Sequence, residues 1–324
     1  MAIDFNKNLH LWFYIKGYYR YFMPKRFYQS RLDYTINKYL SAHPDEVEYI
    51  NDRVNYYCKL SSPTPLSNKA IELKNFKKPN RRKVRPARST YFFDTYEYTR
   101  FFPDDKKIIP LYGDINYVPQ FPSITKSRPI DGNNANSVIL NLDKVRHFIF
   151  LKDSITYEDK IDKLIGYMTI EKPHRALFMT KHFSNPMCIL GQINKDEIYR
   201  PEWLKPKITI AEHLKYKFIL SIEGADVASN LKWIMSSNSI PVMPKLKYET
   251  WAMEGRLIPN YNYICIKSDY SDLNERLQYY IDHPNEAKAI IEHNHQFIAQ
   301  FQNKERERVI SLLVLKRYFL MTNQ

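Results

Sequence analysis

The chain has 324 residues, with 49 lysines and arginines against 35 aspartates and glutamates and a formal net charge of +14. That length exceeds the roughly 250 to 300 residues at which a single core stops growing, so two packed domains with a cleft between them are expected, and the surplus charge points to an anionic partner such as nucleic acid, an acidic membrane surface or a phosphorylated glycolipid. Three widely separated cysteines, Cys58, Cys188 and Cys265, suggest neither a disulfide framework nor a zinc site and fit a reducing cytoplasm, and no run of about 18 apolar residues argues for a membrane-spanning helix.

Residues 5–31 hold Trp12, Phe13, Tyr14, Tyr18, Tyr19, Tyr21, Phe22, Phe27 and Tyr28 among six basic residues. Lys16, Arg20, Lys25 and Arg26 interrupt the apolar patch and no small-residue cleavage site closes it, so no signal peptide is expected. Two readings stand side by side: an interfacial helix whose rings sit at headgroup level, and a helix packed by its aromatic face on the N-terminal domain. From Lys74 to Arg88 eight basic residues, no acidic one and two prolines predict an extended exposed loop near the bilayer, with too few aromatic platforms for nucleic acid.

Residues 108–142 alternate short apolar strands with turns; Asp131-Gly132-Asn133-Asn134 is a turn signal, and Pro119, Pro122 and Pro129 keep the connections non-helical. From Leu164 strands and helices alternate: KLIGYMTI, a helix around His174 to His182, MCILG, a helix around Ala211 to Leu214, and a strand at Phe218 to Ile222. That alternation predicts a parallel sheet covered by helices. Asp272 and Glu275 form a predicted cap pair for a following helix, and Val309 to Met321 closes the chain as a last helix.

The strand at Phe218 runs into Glu223-Gly224, with Ser229 as the predicted N-cap of a helix carrying Leu231, Ile234 and Met235. A helix start has unpaired N–H groups and partial positive charge, so a phosphate can bind there beside Lys232; an ordinary βα turn without a ligand is the alternative. No two aspartates are separated by one residue, so no Asp-x-Asp metal triplet is present, and a bound phosphate group would be met by a helix N-terminus and basic side chains, with Arg175, Lys126, Arg128 and Lys232 as candidates. No His-Glu-x-x-His or Gly-x-Ser-x-Gly spacing supports a hydrolase. Trp251, Tyr261 and Tyr263 are read as core residues rather than stacking platforms.

The runs SIEGADVASNLKWIMSSNSIPV, KYETW and IPNYNYICIKSDYSDL resemble the C-terminal half of glycosyltransferase family 90, whose members include protein O-glucosyltransferases, fungal capsule-associated xylosyltransferases and bacterial lipopolysaccharide-core enzymes. The resemblance is strongest from about Lys215 to Phe297, with a weaker echo from Leu111 to Phe183 and none read before Tyr91. Where eukaryotic members carry Arg two places after the Ser of the turn, this chain has Leu231, so Lys232 or Arg175 would supply the positive charge. The resemblance implies an α/β fold of the GT-B type, two Rossmann-like domains facing across a cleft with C-terminal helices. The expected domains are an acceptor-side domain at 1–160 and a nucleotide-sugar domain at 161–324, whose last helix packs back on the first.

It further implies a metal-independent, inverting transfer from a UDP-sugar, with no cofactor, to a hydroxyl of a lipopolysaccharide core or related glycolipid. The resemblance places the expected site in the cytoplasm, peripheral at the anionic inner face of the bacterial cytoplasmic membrane. Gly224, Asp226, Ser229, Asn230 and Lys232, with Lys126, Arg128 and Arg175, are assigned to the donor. An inverting transfer needs a base for the acceptor hydroxyl, and Asp114 is assigned that role, with Asp131 and Asp153 as alternatives. A protein acceptor, or a non-catalytic protein that binds nucleic acid or a membrane surface, are the competing functions.

Overall fold

A computed structural model of the chain describes residues 5–78, 87–196 and 199–323. In chain order it contains α1 (Phe5–Phe22), α2 (Lys25–Gln29), α3 (Leu32–Ala42), α4 (Val47–Tyr57), β1 (Ile71–Glu72), α5 (Ala87–Thr99), β2 (Lys107–Ile108), β3 (Pro110–Leu111), β4 (Ser123–Thr125), β5 (Ser127–Pro129), β6 (Ser137–Ile139) and α6 (Lys144–His147). There follow β7 (Ile161–Met168), α7 (Pro173–His182), β8 (Cys188–Gln192), α8 (Ile210–His213), β9 (Tyr216–Leu220), α9 (Leu231–Met235), β10 (Ile240–Met243), β11 (Tyr248–Thr250), β12 (Ile264–Cys265), α10 (Leu273–Asp282), α11 (Pro284–Ala299) and α12 (Lys304–Thr322). The result is mixed α/β.

Two compact units form. One takes the residues up to His147, Tyr248–Trp251 and Phe301 onward; the other takes Phe148–Lys247 and Ala252–Gln300. A single cut at 160/161 does not describe them, because β11 pairs antiparallel with β5 and α12 packs on α3, α4 and α5, which draws two late segments into the first unit.

The first unit is built around α12. Asn303 caps it by accepting from the Glu305 and Arg306 amides, and Val309, Ile310, Leu312, Val314, Leu315, Tyr318 and Phe319 are all buried. A helix apolar on so many sides stands at the centre of a core rather than on its surface. Arg53 of α4 pairs with Glu307 at 2.5 Å, and the Trp251 indole donates to the same carboxylate at 2.5 Å while its ring stacks on Tyr57 at 3.9 Å. A fully buried charge persists only with such partners. Three short parallel strands, in the order β3-β4-β6, carry the turn that holds Asp114.

The second unit is a five-stranded parallel sheet in the order β12-β10-β9-β7-β8. Phe218, Ile219, Leu220, Ile240, Val242, Leu164 and Ile165 are buried, as strands covered on both faces require. The chain runs from β7 to β8 on one side, then crosses to β9 on the other side and continues outward through β10 to β12. Such an order has its topological switch point at β7 and β9, and beyond the carboxyl ends of these strands lies the crevice where open α/β sheets bind ligands.

Several local expectations are corrected. The N-cap of α9 is Asn230 instead of Ser229, without a side-chain cap bond, and the helix is five residues long. Asp272 does occupy the N-cap of α10, but its carboxylate accepts the Lys267 amide at 2.8 Å rather than capping the helix. Within the expected loop from Lys74 to Arg88, residues 79–86 lie outside the described residues, and Ala87 already begins α5. Among the described residues no helix is long and apolar enough to cross a membrane.

Candidate active site

Beyond the end of β9 the backbone from Ser221 to Asn230 wraps into a closed turn. Asn230 donates from Nδ2 to Leu220 O at 2.9 Å, and the Ser221 hydroxyl donates to Asn230 Oδ1 at 3.0 Å. The Gly224 amide donates to Asp226 O at 2.8 Å, and Asp226 and Ala228 are buried while Ser229 is exposed. Asn230 thus spends its side chain on the strand end instead of on the helix start, which is why the predicted cap pattern fails.

Arg175, from the first turn of α7, spans the switch point. Its Nη1 donates to Thr169 O at 3.0 Å just past β7, and its Nη2 and Nε donate to Ile222 O at 2.8 Å and Glu223 O at 3.0 Å just past β9. His174 Nε2 lies 2.8 Å from Glu223 O. Burial lowers the Arg175 pKa, with Glu171 opposing, yet a guanidinium stays cationic in a protein. Gly224 leaves room for the guanidinium: a Cβ there would stand 3.2 Å from Arg175 Nη2.

Lys232 points away from any solvent role. Its ammonium pairs with Glu254 at 2.5 Å, and both side chains are about 1 % exposed. Neither residue proposed to replace the missing Arg at Leu231 therefore presents an uncommitted charge; Leu231 itself is buried. Exposed positive charge comes instead from Lys245 and Lys247, in the segment after β10, and Lys267, after β12. The Lys247 amide donates to Glu223 Oε1 at 3.0 Å, which fixes that segment to the turn. These lysines escaped the sequence reading; the available signal was a Lys two places past an apolar strand, Met243-Pro244-Lys245.

In the first unit Asp114 follows Gly113, whose φ of +123° suits glycine best. Lys126 Nζ lies 2.5 Å from Asp114 Oδ1 and Arg146 Nη2 lies 3.5 Å from it, while the aspartate side chain is 39 % exposed. Burial pushes the Asp114 pKa up, but Lys126 and then Arg146 outweigh it and hold the carboxyl below its ordinary range. It is thus an ionised, reachable carboxylate. Arg128 lies in a different network: Nε donates to Glu249 at 2.8 Å and its other nitrogens to Tyr56 O, Tyr57 O and Ser137 O, an arrangement that ties β11 to the unit.

The alternatives for the base divide clearly. Asp131 is exposed in the turn beside Gly132, at φ +82°, and Asp153 is pinned by Lys160 at 2.8 Å and the Asn238 amide at 3.0 Å. In the second unit Arg175 and Gly224 meet at the turn that Asp226 and Asn230 close, while Ser229 is exposed and Lys232 is turned to Glu254; in the first unit Asp114 meets Lys126. Trp251 and Tyr263 are core residues, each about 1 % exposed, and Tyr261 stacks on His293 at 3.5 Å. Among the described residues no three His, Cys, Asp or Glu side chains gather in a metal-holding group.

Fold and site define a mixed α/β protein whose parallel sheet ends in a tightly bonded turn at its switch point. Comparison with known proteins makes the class particular: the family model described as glycosyl transferase family 90 matches residues 168–319. The chain is 34 % identical over 307 residues to the O-glucosyltransferase LpsA of Dichelobacter nodosus, covering 95 % of this chain and 94 % of that relative. Protein O-glucosyltransferase 2 of Danio rerio is 31 % identical over 103 residues, 32 % of this chain and 20 % of that protein. An uncharacterized protein, 179R, of Invertebrate iridescent virus 6 is 30 % identical over 181 residues, 52 % of this chain and 15 % of that one. The chain belongs to glycosyltransferase family 90 and is a glycosyltransferase. The similarity also reaches upstream of Tyr91, where the sequence reading found none, since 95 % coverage leaves too little of the chain unmatched.

Proposed function

We propose that the chain is an inverting glycosyltransferase of the GT-B type that moves a sugar, glucose in the first instance, from a UDP-sugar to a hydroxyl of a lipopolysaccharide core or related glycolipid at the anionic inner face of a membrane. The observation that carries this reading is the similarity, over nearly the whole of both chains, to an O-glucosyltransferase. The turn at Ser221–Asn230 takes the diphosphate without a metal ion. Its backbone amides and the exposed Lys245 and Lys247 meet the phosphate charge, as fixed dipoles and nearby cations do in a transition state.

Arg175 acts in this reading by shaping the turn, since its donors already face carbonyl groups. Asp114 takes the proton of the acceptor hydroxyl as that oxygen bonds to the anomeric carbon, and UDP leaves from the opposite face of the sugar. The depressed pKa keeps Asp114 ionised at neutral pH and available as an acceptor.

The test is a panel of UDP-sugars in EDTA, followed by the best donor with defined core oligosaccharides and, separately, with Ser- and Thr-containing peptides. Release of UDP on adding the oligosaccharide, with the anomeric configuration inverted by NMR, is the expected result. Transfer to peptide alone would move the acceptor to protein. Activity that vanishes in EDTA and returns with manganese would end the metal-independent account. Stabilisation by duplex DNA but not by UDP would favour a nucleic-acid binder.

A further inference from the structure

The aromatic ring of α1 resolves into two faces with different fates. Phe13, Tyr14 and Tyr18 meet Phe93 of α5 edge-on, with centroids 6.4, 6.0 and 5.0 Å away, and Tyr21 packs on Phe92 and Tyr96. Arg20 pairs with Glu97 at 2.7 Å on the same face. Gly17 permits this approach, because a Cβ there would stand 2.8 Å from the Phe93 ring. This half of the helix is core.

Among the described residues, nothing in its own unit covers the other half. Leu11, Trp12, Ile15, Tyr19 and Phe22 are all exposed, Trp12 at 59 % and Phe22 at 76 %, and Phe27 of α2 continues the surface. At 100° per residue the five α1 positions fall within an arc of about 100°, and at 1.5 Å per residue they run for about 16 Å. Lys16, Arg26 and Arg31 are exposed beside them, and residues 5–31 contain no acidic side chain. An apolar, aromatic stripe with cationic margins and no carboxylate matches the headgroup region of an anionic bilayer. Its rings sit between acyl chain and water, and its cations reach lipid phosphates. A second copy of the same face would set cation against cation.

Resting on the reading that the acceptor is a membrane glycolipid, we propose that α1 and α2 form a docking blade that lies in the plane of an anionic membrane, with Trp12, Ile15, Tyr19 and Phe22 entering the headgroup boundary and Lys16, Arg26 and Arg31 bound to lipid phosphates. The stripe fixes the first unit to the surface that holds the acceptor.

Trp12 reports on this directly, because the other three tryptophans, Trp203, Trp233 and Trp251, are buried. The full chain is titrated with vesicles of phosphatidylglycerol and phosphatidylcholine, and with phosphatidylcholine alone, while tryptophan emission and vesicle flotation are followed. Anionic vesicles shift the emission to shorter wavelength, brominated lipid quenches it, and 1 M salt reverses both. Trp12→Phe abolishes the shift but still floats. Tyr19→Glu with Phe22→Glu lowers flotation at least about tenfold, and Lys16→Gln or Arg26→Gln about fivefold each, with melting temperature and UDP-sugar hydrolysis unchanged.

Three results overturn the inference: no shift with anionic vesicles, flotation of the Tyr19→Glu, Phe22→Glu variant equal to that of the parent, or a Trp12 shift that follows protein concentration without lipid, which would make the face a contact between copies. The acceptor reading fails separately. If the parent floats through this stripe but transfers sugar only to peptide or to soluble oligosaccharide, the blade stands and the glycolipid acceptor does not.

Discussion

The two units commit their buried cations alike and differ in the charge they leave at the surface. In the second unit three buried or half-buried cations are already used by the protein: Arg175 on three carbonyl groups, Lys232 on Glu254 and Lys160 on Asp153. Arg175 builds the turn, and the other two hold the frame around it. In the first unit Arg53, Arg128 and Lys144 are likewise committed to carboxylates, yet Asp114, though bonded to Lys126, keeps part of its side chain at the surface. In the proposed reading these cations of the second unit are scaffold, and the Asp114 carboxylate of the first is the reagent.

The largest expected effect breaks the reagent half of this contrast. Asp114→Asn keeps the size and the bond from Lys126 but cannot accept a proton, so kcat falls by about 10²- to 10⁴-fold with melting temperature and UDP affinity unchanged. A loss in KM alone would make Asp114 a binding residue. The pH profile sharpens the same point: because the folded pKa is depressed, the acid limb of kcat/KM lies below the ordinary carboxylate range, and Lys126→Met moves it to higher pH.

Next in size is the scaffold. Arg175→Ala removes three charge-assisted bonds to backbone and is expected to cost about 3 kcal/mol in denaturant unfolding, with weaker UDP binding as a consequence. Arg175→Lys restores charge but not the planar fork, so it recovers less than half of the loss. Unchanged stability with lost UDP affinity would instead place the guanidinium on the donor. Lys245→Ala and Lys247→Ala, which touch charge without scaffold, each weaken UDP binding by about 1 kcal/mol or less, most clearly at low salt, in a calorimetric titration.

The smallest effect concerns α5. Burial raises the Asp94 pKa to about 6 despite Lys144, whereas one turn on, the Glu97 pKa falls to about 2, since Lys144 and Arg20 outweigh its burial. A carboxyl raised on folding contributes stability at pH below its unfolded value, and that contribution is lost as pH rises through about 6. Glu97 runs the other way, contributing above its unfolded value and losing that as pH falls toward about 2. Asp94→Asn is therefore expected to raise stability at pH 8 relative to pH 4 in thermal unfolding.

Much of the second unit was legible because its signals are local. Apolar runs such as KLIGYMTI and MCILG mark strands buried on both faces, and Pro173 opens α7. What was not legible is non-local. Nothing near Arg128 announces Glu249, 121 residues away, and nothing beside Lys232 announces Glu254, so both read as available cations. Ser229 fits an N-cap by type, but Asn230, one place on, is held to the end of β9 by its own side chain. The even spread of aromatics in α1 concealed two faces, which only the position of Phe93 separates.

Hydrogen exchange followed by mass spectrometry, with UDP added in EDTA, bears most directly on the claim that a diphosphate is held at the ends of β7 and β9. Slowed exchange in peptides spanning 169–175 and 221–231 is the predicted result. Protection confined to other peptides, or appearing only after manganese is supplied, would contradict it.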